Sequence, residues 1–138
     1  MTADTLTAAA SPAATAAAPQ HAVIWTEIPV TDFPAAIRFY EALMGQPLAV
    51  EEDGDKRMAV FSSQPGGVAG HIYPGTPAAP GTGPTVHLAL PGTVEESAAR
   101  CVAAGGAVMG PVIEIPPGRF QYATDPDGNS IGLFESRA

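Results

Sequence analysis

The chain has 138 residues, 46% of them hydrophobic, which suits one packed domain rather than a disordered polymer. Its 14 acidic and 6 basic residues leave a formal net charge of −8. That balance argues against nucleic acid or an anionic membrane as the partner and favours a neutral or cationic small molecule. Cys101 is the one cysteine, so no intrachain disulfide or cysteine zinc cluster can form, and a reducing, cytoplasmic setting is expected.

Residues 1–20, "MTADTLTAAASPAATAAAPQ", have neither the basic start nor the apolar stretch of a signal peptide. Pro12 and Pro19 interrupt the alanines, so a disordered tail is expected, followed by a single domain over 21–136. Nowhere are there the ~18 consecutive apolar residues of a membrane span. The run "AVIWTEIPV" reads as a first strand. It is followed by a helix in "TDFPAAIRFYEALMG", with Thr31 and Asp32 as candidate N-caps, Pro34 in the first turn and Gly45 at the end. Phe33, Ile37, Tyr40 and Met44 form its expected apolar stripe. Strands are predicted in "QPLAVEE", "KRMAVFSS" and "GVAGHIY".

After the Pro/Gly-rich link "PGTPAAPGTGP" the order repeats. A strand in "PTVHLAL" precedes a helix in "GTVEESAARCVAAGG", where Thr93 and Glu96 make a capping box and Gly105 ends the element. Val94, Ala98, Cys101 and Val102 are its expected buried stripe, with Cys101 an inert core thiol. Three strands close the chain: "AVMGPVIEI", "RFQYAT" and "SIGLFE". The turn "DPDGN" before the last uses Pro126 to fix φ and Gly128 to take a positive φ. The fold class predicted is therefore α+β: paired βαβββ modules, about 21–73 and 84–136, whose mixed sheets curl around a shared cleft. Gly132 in the middle of the last strand marks a place where something else approaches the backbone.

The paired modules, the opening "IPVTDFPAAIRFYEALMG" and the closing "GRFQYATDPDGNSIGLFE" resemble the vicinal oxygen chelate superfamily, which includes glyoxalase I, bleomycin resistance proteins and extradiol dioxygenases. The resemblance covers roughly 21–136. In metal-dependent members, first-strand and last-strand positions of each half hold one divalent metal. The matching positions here are Trp25, Gly70, His87 and Gly132, of which His87 alone is a ligand by chemistry. About three protein ligands are normally needed, so no metal cofactor is expected.

Glu27 shares a face with Trp25 and is open to several readings: counter-ion for a cationic ligand, general base, partner of His87 in a displaced metal site, or a rim residue that is solvated or paired with Arg38, Lys56 or Arg119. His87 is the other catalytic candidate, its ring expected on the cleft face. Trp25, Tyr122 and Phe134 are expected to wall the cleft, with room beside them at Gly70 and Gly132. Arg119 either holds a ligand carboxylate or pairs with Glu114. His21 and His71 are assigned no role, and His71 is expected on the helix side. The leading expectation is a homodimer that binds a small organic molecule without the metal. The alternative is a metal-dependent lyase, isomerase or dioxygenase using His87 and Glu27.

Overall fold

The computed structural model describes residues 16–137, so most of the expected tail lies outside the described residues; 16–24 carry no helix or strand. Each half is βαβββ. The first contains β1 (Trp25–Val30), α1 (Phe33–Met44), β2 (Ala49–Asp53), β3 (Lys56–Val60) and β4 (Ala69–Pro74). The second contains β5 (Val86–Ala89), α2 (Val94–Ala103), β6 (Ala107–Ile115), β7 (Gly118–Thr124) and β8 (Ser130–Ser136). Each makes a four-stranded mixed sheet, in the orders β1-β4-β3-β2 and β5-β8-β7-β6. First and last strands of a half run parallel, and the remaining pairs are antiparallel. The two sheets remain separate ladders, with β1 and β5 each at an edge.

Local signals set the helix ends. Asp32 accepts the Ala35 N–H at the start of α1, and Gly45 closes it at φ 68°, a left-handed value that favours glycine. Thr93 and Glu96 form the reciprocal capping box of α2. The buried stripe of α2 differs from expectation: Val94, Ser97 and Cys101 face inward while Val102 is 55% exposed. Ser97 fits there because its hydroxyl accepts from Arg100, whose guanidinium also caps the carbonyls of Leu43 and Pro91. On α1 the inward side is broader than the expected stripe, with Ala36, Phe39 and Leu43 buried beside Phe33 and Tyr40.

One apolar cluster draws on both halves, joining Ile28, Phe39, Leu43 and Ile72 to Leu88, Cys101, Ile131 and Leu133. The "DPDGN" turn clasps the halves together. Asp125, 3% exposed, accepts the Tyr40 hydroxyl at 2.7 Å and the Asn129 amide N–H at 2.8 Å. Asn129 in turn donates to the Pro29 carbonyl of β1 at 2.8 Å. Burial first, and the Asp125 carboxylate second, hold the Tyr40 phenol well above its usual pKa. The Pro/Gly-rich link is pinned to this turn: the Gly81 N–H donates to the Gly128 carbonyl at 2.8 Å.

Candidate ligand-binding site

Alternation along the strands sorts each sheet into a core face and an open face. On β1, Ile28 and Val30 are buried, which leaves Trp25 and Glu27 on the open face. The parallel register sets Trp25 opposite Ala69, Thr26 opposite Gly70, and Glu27 opposite His71. Gly70 therefore belongs to the core face, where a Cβ would collide with the Thr26 backbone. His71 belongs to the open face. Both placements correct the sequence expectation, and Gly70 opens no room beside the cleft. Ile72 was the available signal: once it is put under the helix, Gly70 goes with it and His71 goes to the other side. His71 is 8% exposed, and its Nδ1 accepts the Trp25 indole N–H at 2.8 Å.

The second sheet answers the question raised by Gly132. His87 is its register partner on β5, and the His87 imidazole occupies the space a Cβ at position 132 would need. So the glycine does not leave an open hollow; it seats a histidine ring. Phe120 meets that ring edge-on at a centroid distance of 4.9 Å, with Tyr122 at 5.9 Å and Phe134 at 6.2 Å. Desolvation by this packing lowers the His87 pKa from its ordinary value, so the ring is neutral at pH 7.

Between the two halves lies a cavity of about 990 Å³. Trp25, Glu27 and Pro29 of β1 line it on one side and Val86, His87 and Ala89 of β5 on the other, with Met44 and Phe61 among the apolar lining. Thr82 and Pro84 of the link and Asn129 of the turn complete the wall, so the clasp described above also shapes the cavity. Of the expected site residues, Trp25, Glu27 and His87 are brought together here. Tyr122 and Phe134 flank His87 on the open sheet face but are outside the cavity lining. Arg119 is elsewhere, in ion pairs with Glu95 at 2.6 Å, Glu135 at 3.0 Å and Glu114 at 3.8 Å. The hydrogen bonds that Arg119 donates to Glu95 lead the effects that raise its pKa.

Glu27 is exposed and has no ion-pair partner among the described residues. Nor do three His, Cys, Asp or Glu side chains converge anywhere among them. At the positions implied by the resemblance, Trp25 offers a donor N–H rather than a lone pair, Gly70 faces the core, and the Gly132 position is filled by His87. This donor set does not make a divalent-metal site within one chain.

The glyoxalase, bleomycin resistance protein and dioxygenase family model matches residues 20–133. A comparison with curated proteins finds none that matches. Among solved structures, TnmS3, an antibiotic binding protein from Streptomyces sp. CB03234, is 26% identical with a TM-score of 0.56, covering 86% of this chain and 99% of its own. A glyoxalase/bleomycin resistance protein from Albidiferax ferrireducens T118 is also 26% identical, with a TM-score of 0.53 over 82% of this chain and 98% of its own. A glyoxalase-related enzyme from Fulvimarina pelagi shares the fold at 20% identity, with a TM-score of 0.60 over 86% and 89% of the two chains. The chain belongs to the Glyoxalase/Bleomycin resistance protein/Dioxygenase superfamily.

Proposed function

We propose that the protein binds a small organic molecule in the cavity between its two halves, through aromatic and apolar contact and without a divalent metal. The observation that carries this reading is the cavity itself: about 990 Å³, apolar in most of its lining, with Trp25, Glu27 and His87 on its walls. Glu27 and His87 are its ionisable lining residues, and His87 is neutral at pH 7, so Glu27 supplies the local charge. An anionic ligand would lose its hydration against one carboxylate and no cation. A neutral or cationic aromatic molecule suffers no such penalty. The antibiotic binding protein among the similar structures supports a binding role of this kind.

The open sheet faces extend the reading to assembly. Met109 and Tyr122 are 48% and 41% exposed on the open face of the second sheet, an apolar surface that a second copy of the chain would cover. Arg119 takes no part, because its guanidinium is already neutralised by carboxylates. The test is a thermal-shift screen with neutral, cationic and anionic aromatic compounds. Stabilisation by members of the first two groups, lost in Trp25→Ala, is expected; a response confined to anions, or unchanged in Trp25→Ala, would refute the reading.

A further inference from the structure

We propose that His71 is a positioning residue that holds the Trp25 indole as a fixed wall of the cavity. Trp25 occupies the first rung of β1, opposite Ala69, and the two residues before it, Val23 and Ile24, are 62% and 69% exposed. Strand pairing begins at Trp25, with no strand in 16–24 before it, and Trp25 itself is 45% exposed. What fixes the ring is its N–H bond to His71 Nδ1 at 2.8 Å. His71 can serve as a rigid post because it is 8% exposed and has Tyr73 packed on it, with ring centroids 5.9 Å apart at an interplanar angle of 74°.

The direction of the bond sets the tautomer. Indole nitrogen only donates, so Nδ1 of His71 must be unprotonated, with the ring hydrogen on Nε2. It also sets what the indole can offer a ligand. Its one polar hydrogen is spent on His71, so Trp25 meets a cavity occupant with its π face, in a single orientation already paid for on folding. This consequence for ligands rests on the cavity being the binding site; the placement of the ring does not.

Trp25 is the one tryptophan of the chain, so its signals can be read without ambiguity. In the ¹⁵N-labelled full chain, a scalar coupling across the hydrogen bond between Trp25 Nε1 and His71 Nδ1 is expected. Its absence would overturn the proposal, and no variant has to fold for that result. His71→Leu removes the acceptor, whereas His71→Asn keeps a carbonyl oxygen close to the Nδ1 position. The Leu variant is expected to show red-shifted emission and lower anisotropy, with the Asn variant near wild type. Equal behaviour of the two variants, or wild-type emission in both, would contradict the proposal. A titration with the neutral dye Prodan, followed by energy transfer from Trp25, reads the ligand consequence. His71→Leu should weaken binding roughly five-fold, the loss equivalent to one neutral hydrogen bond. Failure of wild type to bind Prodan would count against the cavity as an aromatic-binding site, while the coupling and emission would still decide the role of His71.

Discussion

The His87 imidazole and the Gly132 backbone form a ring-on-glycine pair across the parallel β5–β8 ladder, with the histidine seated where any side chain at 132 would begin. Gly132→Ala should therefore evict the ring from its place beside Phe120 and cost about 1–3 kcal/mol, the usual range for overpacking. In a His87→Ala background the same substitution should cost little or even stabilise, because glycine is a poor strand residue. Urea unfolding of the four proteins in the cycle checks this. An unchanged cost in the His87→Ala background would show that the two positions are not coupled.

The same seat makes His87 a source of pH dependence. Its folded-state pKa is lowered from 6.5 by desolvation, so between the two values the unfolded chain binds more protons than the folded one. Stability from this group is fully present above about pH 6.5 and falls as the pH drops from there towards the folded-state pKa. Comparing unfolding midpoints of wild type and His87→Gln from pH 7.5 to 5 isolates the effect from that of the carboxylates. The variant should lose less stability on acidification; parallel curves would contradict it.

Tyr40→Phe should weaken the clasp between the halves. The hydroxyl bonds a buried carboxylate at 2.7 Å, and Asp125 would keep its backbone donors but lose this one. A cost of about 1.5–3 kcal/mol is expected for a hydrogen bond to a charged acceptor. Chemical denaturation measures it, and a loss under half a kcal/mol would mean that water replaces the phenol.

Much of the fold was legible because its signals are local. Thr93 with Glu96, Asp32 with Pro34, and the "DPDGN" turn each act within a few residues, so helix starts and the last hairpin could be read in one dimension. Facing was harder. In "GVAGHIYP" the small Ala69 and Gly70 suit either face, and only Ile72 sets the phase, so His71 was missed as the partner of Trp25. The place of Val102 was misjudged for a similar reason: Ser97 is buried through its tie to Arg100, a tertiary contact that hydropathy does not show. Trp25, Glu27 and His87 could be placed together from the sequence because each is on the first strand of its half, and those two strands both line one cavity.

A second copy covering the open sheet faces should be visible as mass. Sedimentation equilibrium at micromolar concentration is expected to give a dimer, unchanged on removing residues 1–19. Tyr122→Glu, which puts a charge on the exposed aromatic face, should shift the protein towards monomer. A wild-type monomer at that concentration would contradict dimer formation.

The most direct measurement is a titration of chelator-treated protein with the strongest compound from the thermal-shift screen, following fluorescence of Trp25, the one tryptophan. At one hundred times its dissociation constant such a compound stabilises the fold by about 2.7 kcal/mol, so the melting temperature and the quenching can be compared on the same sample. The expected result is saturable quenching at one ligand per chain, unaltered by added Zn²⁺, Ni²⁺ or Mn²⁺ and weakened in His87→Ala. Quenching that appears only after a divalent metal is restored, or binding that stabilises the protein without touching Trp25, would contradict metal-free binding in the cavity between the halves.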